Sequence, residues 1–188
     1  NPGLYAIDST NAAMAGYNKF LSDANPTGNI IKNATSVYRF KRNADGRDVI
    51  VLWSDNTYDN IGLNLGTEEV EVYDMYSNSQ GILTSPDGKY SFTTTFEPMY
   101  LVGDFSKFEE CESVITIDNA RAFAAPSDSL TFNISDKLGR NLRIETEARD
   151  MIEVVENNGM LNGKAVIKAK TGAEAENENT VKIKIYDG

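Results

Sequence analysis

Acid–base chemistry needs titratable side chains held close together, and this sequence supplies carboxylates in two runs. One is Glu68-Glu69 with Glu71, the other Glu109-Glu110 with Glu112. Two carboxyls facing each other across a cleft can act as acid and base. Spaced along a strand or a connection as these are, they point to alternate faces or lie along the chain, the pattern of a solvated surface. The sequence has no histidine, the side chain that most often serves as general base near neutral pH and the commonest transition-metal ligand. Its single cysteine, Cys111, can neither close a disulfide within the chain nor build a zinc site. No catalytic residue and no cofactor is expected.

Two other kinds of chemistry have candidates. Flat aromatic rings stack on the C–H faces of a sugar, and Trp53, Tyr58, Tyr73, Tyr76, Tyr90 and Tyr100 are available for that. Trp53 ends the most apolar segment and reads as core. Tyr58, in the loop Ser54-Asp55-Asn56-Thr57-Tyr58-Asp59-Asn60, is the best placed for exposure, followed by Tyr73 and Tyr76. Capping the core with the hydroxyl in water is the alternative for the tyrosines. The same loop concentrates Asp55, Asn56, Asp59 and Asn60, oxygen donors of the kind calcium takes. Their spacing is not that of an EF-hand loop, and an Asx-rich turn accounts for them equally well. No metal is expected; Asp55 and Asp59 are the weak calcium candidates. Asn33-Ala34-Thr35 and Asn133-Ile134-Ser135 match the N-glycosylation pattern, which arises often by chance.

The elements that must position these residues read as β. The 188 residues suffice for one large domain or two small ones, and a 40% hydrophobic content fits a folded chain. The 18 basic and 28 acidic residues give a net charge of −10, a field that repels phosphate backbones and anionic lipid, so neither nucleic acid nor membrane is an expected partner. No stretch reaches the length of a transmembrane helix and no signal peptide is present. The first residue is Asn1 rather than methionine, which reads as a segment of something longer.

One helix is expected, after the capping run Ser9-Thr10-Asn11, with Ala13, Tyr17, Phe20 and Leu21 on one stripe and Asn25-Pro26-Thr27-Gly28 as its stop. Val37-Tyr38-Arg39-Phe40-Lys41 and Val49-Ile50-Val51-Leu52-Trp53 flank the turn Asn43-Ala44-Asp45-Gly46 and predict a hairpin, its second strand apolar on both faces. Glu69 to Tyr73 alternates. Ser85-Pro86-Asp87-Gly88 precedes the alternating run from Lys89, and Pro98 places the next strand near an edge. After a charged connection, five short strands over 130–134, 141–145, 151–155, 164–170 and 180–186 predict a small immunoglobulin-like sandwich. The fold class is therefore all-β: two β-sandwich (jelly-roll or immunoglobulin-like) modules preceded by one N-terminal helix.

Tyr38-Arg39-Phe40, Asp45-Gly46-Arg47, Val49 to Trp53, Val70-Glu71-Val72-Tyr73-Asp74-Met75-Tyr76 and Pro86-Asp87-Gly88-Lys89-Tyr90, behind a helix resembling Pro2-Gly3-Leu4-Tyr5-Ala6 through Leu21, carry a resemblance. Residues 1–103 resemble the C-terminal end of clan-A glycoside hydrolases, in which a (β/α)8 barrel finishes in a helix and packs against a β-sandwich. The remainder resembles generic immunoglobulin-like modules. The resemblance implies a bacterial, exported parent, with this chain extracellular or at the cell surface. The barrel that would carry the catalytic carboxylates needs about 250 residues, so no catalytic residue transfers. It implies residues 1–28 as the helix remaining from an upstream catalytic module, 29–112 as an accessory sandwich and 113–188 as an immunoglobulin-like sandwich. The expected function is non-catalytic bracing of the parent's barrel, the barrel being the partner. A carbohydrate-binding module using Tyr58, Tyr73, Tyr76 and Trp53 on glycans, or a cell-surface structural or adhesion module, are the alternatives.

Overall fold

The computed structural model describes residues 9–56, 58–118, 131–138, 142–146, 152–157, 164–169 and 183–187. The chain divides into two compact units, residues 1–112 and 113–188, and the fold is all-β with sandwich-like antiparallel sheets and, among the described residues, one short helix.

In the first unit, helix α1 (Ser9–Leu21) leads into β1 (Ala24–Lys32), β2 (Thr35–Arg42) and β3 (Asp48–Ser54). Then come β4 (Asp59–Asn64), β5 (Glu69–Tyr73), β6 (Ser79–Thr84), β7 (Lys89–Thr94), β8 (Met99–Gly103) and β9 (Glu109–Cys111). A six-stranded sheet in the order β1-β2-β3-β8-β5-β6 stacks on a three-stranded sheet, β7-β4-β9. Period-two alternation fills the space between them. Val37, Ile50, Leu52, Val70, Val72 and Leu101 from the large sheet meet Ile61, Leu63, Leu65, Tyr90 and Phe92 from the small one.

Polar pins close this core at both ends. Asp48, 1% exposed, accepts from Arg39 Nε at 2.9 Å, from Lys41 Nζ at 3.3 Å and from the Phe105 N–H at 3.1 Å. At the other end Asp59 accepts from Ser54 Oγ at 2.6 Å and Asn56 Nδ2 at 3.2 Å, beside the buried Thr35 and Thr94 hydroxyls. In the β2–β3 turn Gly46 takes φ +69°, and Arg42 clamps Asp45, whose carboxyl the Arg42 hydrogen bond holds down to about 2.

Several local expectations differ from what is found. A boundary at 28/29 cuts through β1, which begins at Ala24 and pairs with β2 across a register shift between Pro26 and Gly28; the bulge lets proline and glycine sit in an edge strand. β8 is central, between β3 and β5, not near an edge. Pro98 lies just before it, where its missing N–H costs no ladder bond. The charged connection contains β9, which pairs with β4 at Gly62, Leu63 and Asn64. A Cβ on Gly62 would lie 2.6 Å from the Cys111 carbonyl oxygen, so only glycine allows that approach.

The second unit contains β10 (Ile115–Asp118), β11 (Thr131–Asp136), β12 (Leu142–Thr146), β13 (Ile152–Asn157), β14 (Lys164–Ala169) and β15 (Ile183–Asp187). They form one sheet in the order β10-β11-β14-β13 and a second of β12-β15. Ile134, fully buried, stands opposite Ala165. Of the two glycosylation patterns, Asn33 lies in the β1–β2 turn at φ +52° and Asn133 within β11.

Candidate functional site

β3 is apolar at consecutive positions, so it has two buried faces. Ile50 and Leu52 enter the core between the sheets, while Val49, Val51 and Trp53 point to the outside of the large sheet. Register carries that outer row across neighbouring strands: Tyr38 opposite Val51, Val51 opposite Tyr100, Tyr100 opposite Tyr73. A second row runs Phe40, Val49, Val102 and Glu71. Without a cover this would be an exposed aromatic sheet face.

Helix α1 covers part of it. Phe20, 3% exposed, seats its ring 4.9 Å from that of Tyr73 and 4.7 Å from that of Tyr100. Gly16 meets the β5–β6 connection, where a Cβ would lie 2.5 Å from the Met75 carbonyl oxygen; glycine permits the helix to lie that close. Lys19 spans the seam, its Nζ 4.9 Å above the Tyr73 ring and donating to the Ser77 carbonyl at 3.2 Å. Of the stripe Ala13, Tyr17, Phe20 and Leu21, whose face was expected to be open to a missing neighbour, Tyr17 is exposed (50%), as is Met14 (54%), but Phe20 is buried together with Gly16. Trp53 and Tyr38 stack at 5.5 Å with 11° between planes, both half-buried on this outer face. Trp53, expected to be core, packs half-buried against the outer cluster of Phe20, Val49, Val51, Tyr100 and Val102 rather than between the sheets, because odd positions of β3 face outward.

Beside the helix, Arg47 donates to Glu71 at 2.8 Å and the Tyr73 hydroxyl donates to the other Glu71 oxygen at 2.7 Å. The Tyr73 bond, then Arg47, holds the Glu71 carboxyl below its usual range, and Glu71 in turn raises the Tyr73 phenol.

The aromatic candidates are not all brought together. Tyr73 lies under α1 and Tyr76, 38% exposed, lies three residues on in the connection to β6. Tyr58 is half-buried in the β3–β4 loop, less open than its sequence surroundings suggest. Tyr90 is core, 6% exposed, its hydroxyl donating to the Thr67 carbonyl, and burial pushes its phenol up to about 12. Tyr38 was missed; its opposition to Val51 follows only once the hairpin register is known.

Of the oxygen donors of that loop, Asp55 and Asn56 are exposed, while Asp59 and Asn60 are half-buried and engaged. Asp59 is engaged by Ser54 and Asn56, and Asn60 Oδ1 accepts from Thr93 at 2.9 Å. Among the described residues no group of three or more His, Cys, Asp or Glu is placed to hold a metal ion. The acid runs lie on surfaces with local partners: Glu110 pairs with Lys32 at 2.6 Å and Glu109 accepts from Asn64 at 3.2 Å.

No family model matches the chain, and no curated protein matches it. Among solved structures it has a weak similarity to parts of two glycoside hydrolases. One is a family 39 glycoside hydrolase from the gut symbiont Bacteroides cellulosilyticus WH2, with 15% identity and a TM-score of 0.41. The other is a GH30 endoxylanase from Clostridium papyrosolvens C71, with 13% identity and a TM-score of 0.41. Each match covers 50% of this chain, and the chain spans 20% and 27% of those two proteins.

Proposed function

We propose that this chain is a non-catalytic accessory β-sandwich region of a secreted glycoside hydrolase, its first unit bracing the catalytic barrel through the outer face of the large sheet. The observation that carries this reading is the second apolar face of β2, β3 and β8. A sandwich needs one buried face per sheet. Here the other face is also built from Tyr38, Phe40, Val49, Val51, Trp53, Tyr100 and Val102, and α1 covers it through Phe20 while presenting Met14 and Tyr17 outward. A packed neighbour on this face would bury the open side of the helix and the Trp53–Tyr38 stack together. The acids Glu71, Glu109 and Glu110 are held in surface contacts rather than across a cleft, which fits a role in packing.

The second unit supports the immunoglobulin-like reading by its strand order. Taking β10 to β15 as strands A to F gives A-B-E-D and C-F, the order of an immunoglobulin constant-type sandwich without its last strand among the described residues.

The test compares the isolated chain with the parent enzyme. Tyr17→Glu alters an exposed residue, so the chain alone should keep its melting temperature. In the parent the same change buries a charge at the brace and should lower the temperature at which the barrel loses activity by several degrees. Equal behaviour of the variant and the unaltered parent would remove the brace. The stacked Trp53–Tyr38 pair favours one second reading, a glycan platform. It predicts retardation in gels containing soluble polysaccharide, lost in Trp53→Ala.

A further inference from the structure

Among the described residues, the non-glycine positions with positive φ are Asn33 at +52° and Ser77 at +66°. Asparagine visits this left-handed region on occasion; serine stays there only where its surroundings hold it. Ser77 lies in the connection between β5 and β6, and it is held from two sides. From within, Asp74 gathers the turn. Its Oδ1 accepts the Tyr76 and Asn78 N–H groups at 2.9 Å, and its Oδ2 accepts the Asn78 and Gln80 side-chain amides at 3.0 Å. The Asp74 carbonyl accepts the Ser77 N–H at 3.0 Å. From outside, one turn of α1 leans on the same residues. Lys19 Nζ donates to the Ser77 carbonyl at 3.2 Å while lying over the Phe20 and Tyr73 rings. A Cβ on Gly16 would stand 2.5 Å from the Met75 carbonyl oxygen and 3.5 Å from the Ser77 nitrogen. Gly16, Lys19 and Phe20, at helical spacing, thus meet Met75, Ser77 and Tyr73.

We propose that α1 and the turn 74–78 form one conformational switch: the docked helix holds Ser77 in its left-handed form, and a helix that lifts releases the turn. The turn carries Tyr76, 38% exposed, and leads into β6. The state of the helix therefore sets how that aromatic ring and the strand after it are presented. The helix turns Met14 and Tyr17 outward, so a body that seats or lifts that side acts on the turn without touching it. Coupling of this kind is reciprocal, and loosening the turn must loosen the helix by the same factor. The inference goes beyond the bracing role and holds for the chain by itself.

One exposed hydrogen bond and one close backbone approach carry the coupling, which places it at about fivefold, the low end for coupled sites. On the full chain, amide exchange at Ser77 and Asn78 reads the turn, and protease cleavage within 9–21 reads the helix. Lys19→Met keeps an unbranched stem over Tyr73 and removes the donor, so exchange at both amides should rise about fivefold. Asp74→Asn turns a donor toward the Asn78 and Gln80 amides, loosens the turn directly, and should speed helix cleavage by about the same factor. Combined with Lys19→Met, Asp74→Asn should add little to helix cleavage, because the contact that transmits its effect is already gone. Exchange at Leu63, in the core of the sandwich, should stay unchanged throughout. Turn exchange unmoved by Lys19→Met overturns the proposal, as does helix cleavage unmoved by Asp74→Asn. Additive effects in the double variant overturn it too, and so does exchange at Leu63 rising in step with the turn.

Discussion

Replacing Phe20 by alanine asks how α1 is held. The helix has 13 residues, a length at which an isolated helix is marginal in water. Its main anchor is one buried ring against Tyr73 and Tyr100. Burying a phenylalanine contributes about 1.5–3 kcal/mol, and each aromatic contact adds about 0.5–1.5 kcal/mol. The expected loss is therefore about 3–5 kcal/mol, as for other buried phenylalanines cut to alanine. None of the residues in the core between the sheets comes from α1. The loss should thus fall on helix docking and leave the sandwich folded. Limited proteolysis reads this directly: cleavage within 9–21 should accelerate by about two to three and a half orders of magnitude, since each 1.4 kcal/mol is tenfold in the open population. The urea midpoint of the sandwich should shift little. Unchanged cleavage of the helix would refute the anchor. Loss of the sandwich in step with the helix would refute their separability.

Two further outcomes follow from the core. Asp48→Asn should cost about 2 kcal/mol in urea unfolding near neutral pH, because it leaves the half-buried Arg39 without its charge partner. Burial by itself would raise the Asp48 carboxyl, but the bonds from Arg39 and the Phe105 N–H outweigh it and hold it below the usual range. Its contribution is therefore present above about pH 3.9 and is lost as pH falls through the lower folded value, so the gap between the two proteins should close in acid. Gly62→Ala should break the β4–β9 pairing at a cost of about 1–3 kcal/mol, since the clash is with backbone that cannot move aside. Burial pushes the Cys111 thiol up and slows it, so faster reaction with a disulfide reagent in Gly62→Ala reports the opening.

Local pattern was enough for the strands that alternate or run apolar. The β2–β3 hairpin and the doubly buried β3 follow from Val37 to Trp53 and its Asn-Ala-Asp-Gly turn. Strands β1, β4, β6 and β9 were not legible, because their residues are favoured in turns or are charged, and pairing partners far along the chain override that preference. The outer face was only half legible. Trp53 stood out as a residue, but its side of the sheet depends on β3 parity, and its partner Tyr38 depends on register. The Asx-rich loop read as possible calcium ligands because composition does not reveal that Asp59 turns toward Ser54.

The sequence has one tryptophan, and it sits on the face proposed to pack against the barrel. Titrating this chain with the separately expressed catalytic module of its parent, while following Trp53 emission, tests the account most directly. A saturable blue shift at one-to-one stoichiometry is the predicted result, as the half-buried indole leaves water. Emission unmoved by the module but shifted by added polysaccharide would contradict it.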